Sequence, residues 1–179
     1  MKKFLLSVLT AASILTPGVA KAQNTPEDHL ALWKSLQDVG VTTIYNHRAH
    51  CSDDVDGKYY IFSAMLVVCQ DNMTTHLEEH GWTDNDFDTL RHEAHHVVQD
   101  CAHGRLADGQ TGPIFDERDL VRFLKASSFT EEQLSQLYTL MEEDGLDDIT
   151  IQEELEAYTV AKDIPAADIR SKLIEFCTD

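Results

Sequence analysis

Between Thr83 and Gly104 the apolar positions recur with the period of an α-helix. Phe87, Leu90, Ala94, Val97, Val98 and Cys101 fall on one side, while Asp88, His92, His95, His96, Gln99 and His103 gather on the other. Thr83-Asp84-Asn85-Asp86 is capping chemistry and Gly104 is a stop, so one helix is expected here, anchored in a core along its apolar stripe. Thr25-Pro26-Glu27-Asp28 reads as another cap and first turn, opening an amphipathic helix to about Asp38. Three more helical stretches follow the central one. Asp116 to Ala126 carries Leu120, Val121 and Leu124; Glu131 to Glu143, capped by Thr130, carries Leu134, Leu137, Tyr138 and Met141. Asp148 or Thr150 opens a helix to about Lys162, and Pro165 begins the last.

Strand character is confined to residues 41–69. Val41 to Tyr45 is β-branched, and Tyr59 to Cys69 is rich in aromatic and β-branched residues, with a break near Ser63. Ser52-Asp53-Asp54-Val55-Asp56-Gly57 between them is turn chemistry. It is not a calcium-binding EF-hand loop, because Ser52 and Ser63 fall where that loop needs its first and last carboxylates. The pattern predicts an α+β fold, mostly helical, with a small antiparallel sheet.

The N-terminus does not belong to this pattern. Lys2 and Lys3 precede a short apolar run from Phe4 to Leu15, and Ala20-Lys21-Ala22 is a small-x-small cleavage site. Residues 1–22 therefore read as a signal peptide, too short in its apolar part to span a bilayer, and 23–179 as one domain. This places the mature protein in the periplasm or outside the cell. Its acidic residues outnumber the basic ones 32 to 14, for a formal charge of −18, and loss of Lys2, Lys3 and Lys21 would make it more negative. Such a chain is a poor partner for nucleic acid or, after signal cleavage, for anionic membranes. The acidity reads first as a solubilising surface, and it would also suit a cationic substrate.

All four cysteines, Cys51, Cys69, Cys101 and Cys177, lie beyond the cleavage site, and an even number in an exported chain points to two disulfides. Three pairings are open. The favoured one, Cys51–Cys69 with Cys101–Cys177, needs a chain reversal near Ser63 to bring Cys69 back towards Cys51.

The polar face of the central helix holds His92-Glu93-Ala94-His95-His96, a match to H-E-x-x-H. Positions i and i+4 share a helix face, so His92 and His96 can grip one ion while Glu93 stands beside it as a general base. Zinc is the expected ion, and it needs a third protein ligand. His103 lies seven residues past His96, roughly 10 Å along the axis, too far to serve. His95 is turned away by about 100°. Helical phase favours Glu154: with Ile151, Leu155 and Tyr158 facing inward, Glu154 borders that face, while Glu153 and Glu156 point largely away.

These two stretches resemble the gluzincins, zinc peptidases with H-E-x-x-H on one helix and a ligand glutamate on a later one. Glu154-Leu155-Glu156-Ala157 is similar to their E-x-x-A pattern, whose first glutamate binds zinc. His92-Glu93-Ala94-His95-His96-Val97-Val98-Gln99 is similar to the motif helices of small secreted bacterial gluzincin-like proteins. Tyr158 stands where some branches carry an aspartate. The resemblance implies a zincin-like domain, peptide or protein substrates, zinc on His92, His96 and Glu154, and Glu93 as catalytic base. It also implies that the strand from Tyr59 to Cys69 could align an extended substrate.

Tyr158 or His95 would supply an additional donor to the oxyanion, and Asp88 and Asp100 are candidates to orient the imidazoles. The competing expectation is a non-catalytic exported protein that binds zinc structurally or keeps a peptidase scaffold for binding. A third is a disulfide-stapled helical domain that recognises another protein without metal.

Overall fold

A computed structural model of the protein describes residues 24–51, 55–69 and 81–178. The expected signal peptide, and residues 52–54 of the expected turn, lie outside the described residues. Six helices and three strands follow one another: α1 Pro26–Asp38, β1 Thr42–Tyr45, β2 Gly57–Tyr60, β3 Met65–Val68, α2 Asp84–His103, α3 Glu117–Ala126, α4 Glu131–Glu143, α5 Asp148–Asp163 and α6 Ala166–Cys177. The fold is α+β, as the periodicity indicated.

Three threonines start helices as expected. Thr25, Thr83 and Thr130 each accept from the backbone N–H three residues on, and Asp28, Asp86 and Gln133 return the bond. A cap of this kind contributes about 1 kcal/mol. Asp147 caps α5, which settles its start at Asp148 rather than Thr150.

The sheet corrects the antiparallel expectation. Its order is β1-β3-β2, with β2 and β3 antiparallel (Tyr59 opposite Leu66) but β1 and β3 parallel (Thr43 opposite Leu66). The chain does reverse between β1 and β2, yet the two do not pair. The tight turn at 61–64 folds β3 back into the gap between them. β3 is therefore the covered central strand: Leu66 and Val68 face the helices, while Val67 packs with Cys51 and Cys69 on the other side. Among the described residues β2 lies at one edge of the sheet.

α2 is the hub of the molecule. Leu90, Ala94, Val97 and Val98 are fully buried against Leu32 and Leu36 of α1, Val160 of α5, and Ala166, Ile169 and Leu173 of α6. Each large side chain here contributes about 1.5–3 kcal/mol by leaving water. Both favoured disulfides are present. Cys51–Cys69 closes the segment around the β2–β3 hairpin, and Cys101–Cys177 ties the end of α2 to the end of α6. Two disulfides fit an oxidising, extracytoplasmic environment. Among the described residues no helix is long and apolar enough to cross a membrane.

Candidate metal centre

Helical spacing brings His92 and His96 together on α2, with their Nε2 atoms 3.1 Å apart. α5 crosses α2 closely because small residues, Ala157 and Ala161, are buried along its contact side. That approach delivers Glu154. Its Oε2 lies 3.2 Å from His92 Nε2 and its Oε1 3.5 Å from His96 Nε2. His92, His96 and Glu154 form a group that could hold a metal ion, with one donor atom from each, all within 4.8 Å of one another. Donors bound tetrahedrally to zinc at 2.0–2.1 Å sit about 3.3 Å apart, so the three separations suit that ion. No other such cluster of three or more occurs among the described residues.

The charges of the centre are tightly coupled. Burial lowers the proton affinity of His96, but the hydrogen bond and charge of Glu154 outweigh it, and the imidazole is held at about 9. Burial raises Glu154, and the two imidazoles more than reverse this, holding it below the ordinary carboxylate range. The His96 imidazole and the Glu154 carboxylate thus favour one another's charged forms.

Glu93 is buried beside the pair. Burial pushes its carboxyl up, while His92 and His96 pull it down and Glu154 raises it again. β2 runs tightly against this residue. A Cβ on Gly57 would come within 2.4 Å of Thr89 Cγ2 and 3.1 Å of Glu93 Cγ, so only glycine lets the strand pass.

The residues that orient the imidazoles differ from those expected. Gln99 Oε1 lies 2.7 Å from His96 Nδ1, and an amide oxygen can only accept, so Nδ1 carries the proton. The amide is fixed in this sense by its other end, which donates to the Glu153 carbonyl at 3.1 Å and weakly to Glu156 Oε1 at 3.5 Å. His92 Nδ1 is buried without a hydrogen-bond partner among the described residues, and its ring is met edge-on by Tyr158, centroids 4.5 Å apart. Asp88 instead pairs with Arg91, and Asp100 accepts from the Tyr59 hydroxyl. Neither is a partner of the imidazoles. His95 is also reassigned: it is buried against Glu156, 2.6 Å away, and does not border the cleft described below. His103 holds the Gln99 carbonyl and stays outside the ligand group, as its spacing indicated.

Two expectations about α5 need correction. Glu153 and Glu156 do not point away; they are 7% and 0% exposed. Nor is Tyr158 part of an inward stripe, being 40% exposed. The helix is covered on two sides. Ile151 and Leu155 pack with Met141 of α4, while Glu153, Glu156, Ala157 and Val160 face α2 and its surroundings. Glu156 anchors the chain before α3, accepting from the N–H groups of Ile114 and Phe115 at 3.0 and 3.1 Å. The signal for this second side was present in the sequence, in the small and apolar run Ala157, Val160, Ala161 at helical spacing.

The centre opens into a cleft made of two adjoining hollows, about 540 and 380 Å³, which share Gly57, Lys58, His92, Glu93 and Tyr158. β2 lines one side of it and α5 another. Comparison with family models, curated proteins and solved structures returns no match.

Proposed function

We propose that this protein is an exported zinc-dependent peptidase, acting in the periplasm or outside the cell. The observation that carries this reading is the open side of the His92–His96–Glu154 group. Three donors converge with zinc-like separations, no fourth protein ligand joins them among the described residues, and a buried acid, Glu93, stands where the cleft begins. A structural zinc site closes its fourth position and has no use for such an acid. This favours catalysis over a non-catalytic zinc-binding or peptidase-derived scaffold.

Zinc, when bound, supplies Lewis acidity that makes a neighbouring water acidic near neutral pH and polarises a carbonyl. Glu93 accepts the proton of the attacking water and returns it to the departing amine. Its burial suits that task, because a raised carboxyl is a better base. Gln99 keeps the proton of His96 on Nδ1, leaving Nε2 free to bind. Tyr158, which borders both hollows, would donate to the developing oxyanion. β2 is an edge strand among the described residues, its Tyr59 N–H held by Glu93, and an extended peptide would lie beside it along the cleft.

The test is metal analysis followed by cleavage of a broad peptide library. The wild type is expected to retain one zinc and to cut, while Glu93→Gln retains zinc and does not cut. A zinc-loaded wild type that leaves every peptide intact would establish the scaffold reading instead.

A further inference from the structure

Tyr59 of β2 meets the motif helix at two places. Its hydroxyl donates to Asp100 Oδ2, and its backbone N–H donates to the Glu93 carboxylate. Glu93 and Asp100 are seven residues apart, roughly 10 Å along α2, with His96 between them. Two contacts so far apart fix both the place of the strand and its angle to the helix. Asp100 is fully buried, so a Tyr59 without its hydroxyl would leave that carboxyl short of a donor.

Nothing else on β2 does the same. Side chains alternate along a strand, so Lys58 and Tyr60 lie on the other face of the sheet, where Tyr60 packs with Val67. Pairing with β3 ties β2 to the sheet, not to the helix. Yet β2 presses on Glu93: a Cβ on Gly57 would come within 3.1 Å of Glu93 Cγ. The strand is thus the surface on which the buried acid rests, and the Tyr59 hydroxyl holds that surface in place. A base that takes a proton from one water needs a fixed orientation, and a misplacement of about 1 Å costs on the order of 100-fold in rate.

We propose that Tyr59 is a positioning residue for Glu93: anchored on Asp100, it holds β2 against the acid and keeps the carboxyl turned to the cleft. The inference rests on the peptidase reading and concerns how the same site is held in order. Tyr59 acts here through Glu93 and not through the metal.

Tyr59→Phe keeps the ring and removes the hydroxyl. Hydrogen exchange of backbone amides in the metal-free protein, followed by NMR, reads the contact without any reaction. The N–H of residue 59 is expected to be protected in the wild type and to lose about tenfold or more of that protection in Tyr59→Phe and in Glu93→Ala, while the amides of β3 keep theirs. In the zinc-loaded protein, Tyr59→Phe should lower kcat about tenfold or more and leave KM and zinc content within about twofold of wild type. A role in stability alone would lower protection in β3 as well and leave kcat per zinc-loaded molecule unchanged. A residue 59 amide that exchanges freely in the wild type, a loss of protection shared by β3, a variant with wild-type kcat, or a loss confined to KM overturns the inference and leaves the peptidase reading standing. A wild type that cuts no peptide overturns the peptidase reading and, with it, the role given to Tyr59.

Discussion

Replacing Gln99 with leucine should weaken zinc binding without unfolding the protein. The amide oxygen is the acceptor for His96 Nδ1–H at 2.7 Å, and the amide nitrogen holds the Glu153 carbonyl at 3.1 Å. Leucine fills similar space but leaves the Nδ1 proton buried and unmet, free to move to Nε2, where it would block the ligand atom. A ligand imidazole that loses such a partner binds metal about 10–100-fold more weakly. At 1.4 kcal/mol per tenfold, that corresponds to about 1.4–2.8 kcal/mol. Competition with a coloured chelator gives the affinities, far-UV circular dichroism controls for folding, and ¹⁵N chemical shifts of the His96 ring report the tautomer. If Gln99→Leu binds zinc within about twofold of wild type, or if His96 Nδ1 carries no proton in the zinc-loaded wild type, the reasoning is refuted.

Other consequences can be checked in parallel. Removing the Cys101–Cys177 bridge by serine substitution at both positions frees a loop with a separation of 76 residues and should cost about 4.5 kcal/mol on the chain-entropy account, read as a lower midpoint in urea. Gly57→Ala should destabilise by about 1–3 kcal/mol, because its Cβ would lie 2.4 Å from Thr89 Cγ2; adding Thr89→Ser should recover part of the loss in thermal melts. His29 is held below its ordinary range, first by burial and then by Arg91, against the pull of the Thr25 carbonyl. Because it stays neutral in the fold, its contribution is complete above about pH 6.5 and is lost as pH falls towards its lowered value, so His29→Gln should flatten the acid side of the stability profile.

The elements were readable because they are locally encoded. Threonine caps, the periodic stripe of Leu90, Ala94, Val97 and Val98, and the break near Ser63 each act within a few residues. The H-E-x-x-H match works the same way, since i and i+4 on a helix must meet. Glu154 was reached by a phase argument whose result agrees with the geometry although one premise does not. α5 has two covered sides, and the single stripe through Tyr158 is not one of them. What the sequence did not disclose depends on long-range contacts. The insertion of β3 beside β1 is settled by tertiary packing, not by either strand's own pattern. Gln99, Glu153 and Glu156 read as polar surface, yet all three are buried. Gln99 and Glu156 stay there because they reach other elements: both link α2 with α5, and Glu156 also holds the chain before α3. Composition carries no trace of such exchanges.

The central claim is that His92, His96 and Glu154 bind one zinc and leave a place for solvent. X-ray absorption at the zinc edge of the loaded protein tests it most directly. The account predicts a shell of nitrogen and oxygen donors at about 2.0–2.1 Å with the outer-shell signature of two imidazoles, no sulfur near 2.3 Å, and loss of stoichiometric zinc in His92→Ala and His96→Ala. A sulfur-containing shell, a single imidazole, or stoichiometric zinc that survives both substitutions would contradict it.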